Sequence, residues 1–142
     1  MKNTTQILQW LLVVVFLVVV VVDTTSRRSE AKTLVSMANL LGPDLVMNVH
    51  CKSKDDDLGA HSVPYKVANY TFRFEPNLWE TTQYWCRFVW TGGDHYFDIY
   101  IDRRDALKCN EVCTWQIYTD GPCMYDRYKE EYSLCYDWNP PK

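Results

Sequence analysis

Six cysteines that follow an apolar N-terminal segment limit the fold of this chain more than any other feature. An even number of cysteines in a short chain behind a secretion signal is typical of a disulfide framework. A zinc site needs two close pairs of ligands, whereas only one close pair occurs here, with three residues between its members. We therefore predict that all six cysteines are oxidised, in a pairing that the spacing leaves open: Cys51, Cys86, Cys109, Cys113, Cys123 and Cys135.

The N-terminal segment has the composition of a cleaved signal peptide. Lys2 precedes an unbroken apolar run over residues 10–22, and small and polar residues follow it. The run has 13 residues, whereas a membrane-spanning helix needs about 20. Arg27 and Arg28 leave a signal anchor as the alternative. We predict a signal peptide over residues 1–26 with cleavage within 25–31, one secreted domain over 32–139 and a tail over 140–142.

The charge of the mature segment argues against two classes of partner. Residues 32–142 carry 12 basic and 16 acidic side chains, which gives a net charge of −4. Nucleic-acid-binding domains favour a basic face, and anionic membrane surfaces attract Lys and Arg. We therefore expect no nucleic-acid partner, and no stable membrane insertion once the signal peptide is removed.

Alternation of apolar and polar residues after residue 44 predicts β-strands. In each run one set of side chains faces a core, and turns rich in Gly, Pro and Asp separate the runs. The runs cover residues 45–51, 69–75, 84–90, 97–102, 113–117 and 132–136, with 34–41 as an extra strand or a lead-in. No convincing helical pattern accompanies them. The pattern predicts an all-β fold: a small antiparallel β-sandwich, or a closed barrel, of about six to eight strands.

Large aromatic side chains supply much of the buried area that a small domain needs. Most of them fall in the inward sets, and we expect these to pack in the core. Trp85, Tyr96 and Tyr100 fall in the outward sets of their strands. These three are therefore candidates for a contact patch.

Asn69-Tyr70-Thr71 matches the acceptor sequence for N-glycosylation. Asn69 falls in the outward set of its strand, where the lumenal enzymes could reach it. The sequence therefore predicts a glycan on Asn69.

The acidic run Asp55-Asp56-Asp57 resembles a cation-binding loop, because several carboxylates in one loop can hold calcium. However, the EF-hand spacing is absent, and the flanking Lys52 and Lys54 offset the negative charge. We predict a solvated turn whose Asp side chains bond to their own backbone, and no metal site.

The sequence carries no catalytic motif. His50, His61 and His95 are not spaced as in H-E-x-x-H, and no G-x-S-x-G segment occurs. Oxidised cysteines leave no thiolate nucleophile. We predict a protein that is not an enzyme and has no cofactor, with an uncharacterised extracellular enzyme as the remote alternative.

Several segments together resemble one known family. Residues 49–59 read VHCKSKDDDLG, residues 70–74 read YTFRF and residues 85–90 read WCRFVW. The C-terminal part adds CN-x-x-C-x-W from residue 109, GPC from residue 121 and CY-x-WN from residue 135. These segments resemble the plant self-incompatibility proteins, the stigmatic S-proteins and their homologues, over residues 38–139. Asp137 stands where many members have proline.

The resemblance implies a small secreted β-sandwich that acts as an extracellular signalling ligand for a receptor on a cell surface, with no catalytic residues. A ligand needs an exposed surface on a rigid scaffold, and loops between strands provide one. We expect recognition by the loops 55–64, 75–82, 92–95 and 103–108, with Glu80, Asp94 and Arg104 as partner-binding residues. Surface substitutions at these positions should change stability by no more than about 0.5 kcal/mol.

A second functional class remains open, that of secreted defence proteins that act on membranes. Membrane-disrupting proteins are usually basic. The net charge of the mature segment therefore disfavours this alternative.

Overall fold

The computed structural model describes residues 3–26 and 31–141, which form two compact units that divide after Ala31. The first unit is helix α1 (Thr4–Ser26). Its segment Thr4–Val22 is long and apolar enough to cross a membrane, a property that signal sequences near an N-terminus share. The predicted cleavage region overlaps residues 27–30, which lie outside the described residues, so the cleavage site stays a prediction.

The second unit contains nine strands and one short helix. The elements are β1 (Thr33–Asn39), β2 (Met47–Lys52), β3 (Asp57–Val63), β4 (Tyr70–Phe74), β5 (Gln83–Trp90), β6 (Gly93–Ile101), α2 (Asp102–Cys109), β7 (Val112–Tyr118), β8 (Gly121–Asp126) and β9 (Glu131–Cys135). They form a five-stranded sheet in the order β4-β1-β7-β8-β9 and a four-stranded sheet in the order β3-β2-β5-β6. The predicted all-β sandwich is confirmed, with nine strands instead of six to eight.

Apolar side chains from the two sheets meet in one core, as the period-2 pattern predicts. Trp115 of β7 packs edge-on against Phe97 of β6 at 5.4 Å between ring centroids. Phe74 of β4 packs against Tyr84 of β5 at 4.6 Å. The inward sets of β2, β5 and β7 are almost completely buried. Each of these strands buries alternate residues, which is the pattern of a sheet with one solvated face.

One strand pair departs from the predicted antiparallel arrangement. Strand β1 pairs with β4 in the antiparallel sense but with β7 in the parallel sense, from Leu34 opposite Val112 to Asn39 opposite Ile117. Its burial confirms a central place in the sheet, because Val35 and Met37 are fully buried and Ser36 between them is also buried.

Two strands and one helix occur where the sequence predicted loops. Strand β3 occupies most of the predicted loop 55–64, at the edge of its sheet, and most of its side chains are exposed on both faces. Strand β8 begins at Gly121-Pro122, which reads as a turn in the sequence. Helix α2 replaces the predicted loop 103–108 and has only eight residues, too few for a clear helical pattern.

Tyr100 was predicted to face outward, and this prediction was wrong. Only 1% of Tyr100 is exposed. In β6, Tyr100 lies three positions after Phe97. Their partners in β5, Tyr84 and Cys86, are only two positions apart. This bulge shifts the alternation by one residue, so that Ile99 and Tyr100 are both buried. Burial raises the pKa of the Tyr100 phenol.

Three disulfides account for all six cysteines, as predicted, and the structure supplies their pairing. Cys51–Cys86 joins directly opposed residues of β2 and β5, and Cys123–Cys135 does the same for β8 and β9. Cys109–Cys113 joins the end of α2 to β7. Each bond therefore fixes neighbouring elements of one unit.

The strand directions sort the connections into two ends of the sandwich. One end, called the α2 end here, carries the turn 53–56, the loop 75–82, helix α2 with residues 110–111, and the turn 127–130. The opposite end carries the connections 40–46, 64–69, 91–92 and 119–120.

Candidate functional site

The loop 75–82, called the Trp79 loop here, presents two large apolar side chains to solvent. Leu78 is 96% exposed and Trp79 is 81% exposed. Both lie between β4 and β5, outside any alternating run, so neither contributes to the core. Hydrophobic side chains that stand this far out of a folded domain are typical of binding sites when several lie together.

Hydrogen bonds inside the Trp79 loop fix the backbone that carries these side chains. Asn77 Oδ1 accepts the backbone N–H groups of Trp79 and Thr81, each at 3.1 Å. Asn77 Nδ2 donates to Thr81 Oγ1 at 2.8 Å, and the Asn77 N–H donates to Thr82 Oγ1 at 2.8 Å. Glu80 has a φ of 56°, which completes the reversal of the chain. An Asn side chain that bonds to the following backbone is a stable local turn.

Two further apolar side chains are exposed at the same end. Leu107 of α2 is 90% exposed, and Tyr128 in the turn 127–130 is 78% exposed. Together with Leu78 and Trp79 they give the α2 end four of the most exposed large hydrophobic residues of the β unit. Val67, which is 75% exposed, lies at the opposite end.

Arg104, predicted to bind a partner, forms part of the interior instead. Its side chain is 19% exposed, and its Nε and Nη2 donate to the two carboxylate oxygens of the fully buried Asp105 at 2.7 and 2.8 Å. Nη2 also donates to the carbonyl oxygen of Asp98 at 2.6 Å. The guanidinium lies 4.7 to 5.7 Å from three ring centroids, those of Phe97, Trp115 and Tyr136. The expected loop position of Arg104 was therefore wrong, and its contacts lead us to expect a larger stability cost than the sequence suggested.

Asp94 was predicted to lie in a loop, but it lies inside β6. Its two carboxylate oxygens accept Nε and Nη2 of Arg87 on β5 at 2.9 and 2.6 Å. The hydrogen bonds from Arg87 hold the pKa of Asp94 below its usual range. The loop predicted over 92–95 shrinks to a tight turn, since β5 ends at Trp90 and β6 begins at Gly93.

Glu80 lies in the Trp79 loop and is exposed, as predicted. Its role in binding remains a prediction. The residues that sequence reasoning missed are its neighbours Leu78 and Trp79. The signal was present: two large apolar residues between Pro76-Asn77 and Glu80-Thr81 have no place in a strand pattern.

The acidic run after β2 is a hydrogen-bonded turn. Ser53 Oγ accepts the backbone N–H groups of Asp55 and Asp56. Asp57 begins β3, and its carboxylate contacts His50 Nε2 and Lys52 Nζ. The hydrogen bond from His50, followed by the one from the Gly59 N–H, lowers the pKa of Asp57 to about 2. These donors engage the Asp57 carboxylate, and the absence of a metal site stays a prediction.

Asn69 is exposed and directly precedes β4. Its Nδ2 donates to Ser36 Oγ on the neighbouring β1 at 3.1 Å. An amide nitrogen that carries a glycan keeps one hydrogen, so this contact is compatible with modification. Glycosylation of Asn69 remains a prediction.

Comparison with known proteins places the chain in a plant protein family. The family model described as plant self-incompatibility protein S1 matches residues 34–138. S-protein homolog 5 of Arabidopsis thaliana is 45% identical over 107 residues, which cover 75% of this chain and 77% of that protein. S-protein homolog 3 of the same plant is 38% identical over 109 residues, which cover 75% of this chain and 72% of that protein.

A solved structure agrees with the fold. It represents self-incompatibility protein homologues, described as a widespread family of small, highly stable, secreted proteins from plants. The match has a TM-score of 0.57 and 16% sequence identity, and it covers 77% of this chain and 96% of the other.

Proposed function

Because the chain belongs to the plant self-incompatibility protein S1 family, we propose that it is a signalling ligand that binds a receptor protein on a cell surface. The protein is secreted, in keeping with its relatives and its apolar N-terminal helix. Binding, and not catalysis, is its proposed mode of action.

The exposed Leu78 and Trp79 are the observation that carries this proposal. Burying one large apolar side chain at an interface is worth about 1.5–3 kcal/mol, and Trp is among the residues most enriched where binding energy concentrates. The Asn77 hydrogen bonds fix the loop before binding. Because less conformational entropy is then lost on association, the contact gains affinity.

Charge favours a protein partner over a lipid surface. The mature segment has a net charge of −4, and Glu75 and Glu80 lie in the same loop as the apolar pair. An anionic bilayer repels carboxylates and attracts Lys and Arg. A receptor pocket with an apolar floor and a basic rim would accommodate both kinds of side chain.

The experiment compares the protein with its Trp79→Ser and Leu78→Ser variants in binding to plant cells, with the cytosolic calcium response as a second readout. Val67→Ser is the matched control, because it removes an exposed apolar side chain from the opposite end. We expect Trp79→Ser to weaken binding by about 30-fold or more, the equivalent of about 2 kcal/mol, and Val67→Ser to change it less than twofold.

Two results would contradict the proposal. If both Trp79 loop variants fold and bind as tightly as the parent protein, recognition lies elsewhere, and Tyr96→Ala tests the outer sheet face as that alternative. If the protein releases dye from anionic vesicles at the concentrations that bind cells, it acts on membranes.

A further inference from the structure

A groove lies on the outer side of the four-stranded sheet. Trp85 of β5 and Tyr96 of β6 contribute aromatic rings to it, and Pro140 and Pro141 of the C-terminal segment line it as well. Its volume is about 590 Å³, within the range of known ligand sites, which is about 300–1,000 Å³. Tyr96 is 48% exposed, so an aromatic face is open to solvent here.

The C-terminal segment is anchored beside β6 through Trp138 and Asn139. Trp138 stacks on His95 at 4.9 Å between ring centroids, and its Nε1 donates to the carbonyl oxygen of Thr119 at 2.8 Å. The Asn139 N–H donates to the carbonyl oxygen of Tyr96 at 2.9 Å. Because prolines have no N–H, the next two residues cannot extend this strand-like pairing.

Pro140 and Pro141 therefore line the same cavity as two aromatic side chains. Proline-rich segments are extended before they bind, and they dock in grooves lined by aromatic rings at a low cost in entropy. The groove offers two such aromatic side chains, on β5 and on the edge strand β6.

Three polar side chains of the groove, those of Asp94, His95 and Asn139, contact other residues of the protein. Both carboxylate oxygens of Asp94 accept from Arg87. The His95 ring is stacked on Trp138, and Asn139 Nδ2 donates to Asp98 Oδ2 at 3.4 Å. The pyrrolidine rings of prolines need only aromatic faces, which Trp85 and Tyr96 supply.

We propose that this groove binds an extended proline-rich peptide of another protein, and that Pro140 and Pro141 compete with that peptide from within the chain. The proposal is independent of the receptor contact at the Trp79 loop, because the two sites share no residue. Removal of residues 140–142 should leave the fold intact, since Trp138 and Asn139 make the anchoring contacts.

The test is fluorescence anisotropy with labelled decaproline as the probe. We expect the protein that ends at Asn139 to bind decaproline about tenfold more tightly than the full chain. This ratio corresponds to a full chain in which residues 140–142 leave the groove free in about one tenth of the molecules. Tyr96→Ala in the shortened protein should abolish binding, whereas Tyr96→Phe, which keeps the ring, should bind within about threefold. Trp79→Ser should have no effect.

Three results would overturn the proposal. One is that the shortened protein does not bind decaproline. Another is that Tyr96→Ala, shown to be folded by its circular dichroism, binds as well as Tyr96→Phe. The third is that cellohexaose binds in calorimetry while decaproline does not, which would assign the groove to carbohydrate.

Discussion

Replacing Arg104 with Ala should destabilise the domain severely, although the residue lies in a short surface helix. The substitution removes both donors to the Asp105 carboxylate and leaves a fully buried charge whose one remaining described donor is the Ile101 N–H at 2.9 Å. Breaking a buried ion pair by removing one partner costs about 3–5 kcal/mol. The total free energy of unfolding of a small domain is about 5–15 kcal/mol.

Urea unfolding with the disulfides intact measures this cost. With a slope of about 1–3 kcal/mol per molar urea, the midpoint should fall by at least about 1 M. Arg103→Ala is the matched control, because it removes the same charge from an exposed position of the same helix. It should change the free energy of unfolding by no more than about 0.5 kcal/mol.

A double-mutant cycle separates the ion pair from simple loss of packing. Arg104→Met keeps much of the apolar stem, and Asp105→Asn removes the buried charge. The double variant should lose less stability than the two single variants together, by about 0.5–3 kcal/mol. If Arg104→Ala proves as stable as Arg103→Ala, the pair is solvated in solution and the reasoning from burial fails.

Other measurements test the surface network, a close contact, the glycan and the disulfides. Asp57 has its pKa lowered to about 2, so its stabilising contacts are fully present above about pH 4; the stability difference between the protein and Asp57→Asn should vanish as the pH falls through 2. Gly121→Ala should lower the urea midpoint much more than Gly92→Ala, because both have positive φ but only at Gly121 would a Cβ collide with the Tyr136 carbonyl oxygen; equal effects would exclude the collision. Asn69→Gln should remove the mass of one glycan from the secreted protein, and an unchanged mass would show the site unused. Mass analysis of the same material should find no free thiol, and two or more would contradict the disulfide assignment.

The alternation of apolar and polar residues predicted the strands that have one face on the core and the other in solvent. Strands β2, β5 and β7 pack one face on the core, so their sequences carry the period of two. Strand β3 is an edge strand with solvent on most of both faces, so backbone pairing alone defines it. Strand β8 begins with Gly121-Pro122, which locally favours a turn and is overridden by pairing with β7 and β9.

The proposed recognition surface was predicted only as a loop. Its position between β4 and β5 follows from the strand pattern, but the exposure of Trp79 depends on how Asn77 folds the backbone around it. Arg104 is a residue whose burial the sequence did not predict. A charged residue between two strands reads as solvated, and only the three-dimensional arrangement reveals the buried Asp105 and the aromatic rings that receive it.

The parallel pairing of β1 with β7 has a consequence for export. Strand β1 is synthesised first, yet it lies inside its sheet, and nearly the whole length of the domain separates Leu34 from its partner Val112. One side of β1 therefore stays open until β7 has entered the lumen. Contacts between such distant segments form slowly, and an unpaired strand edge invites aggregation. We therefore expect the nascent chain to pass through an interval in which that edge is open to lumenal chaperones.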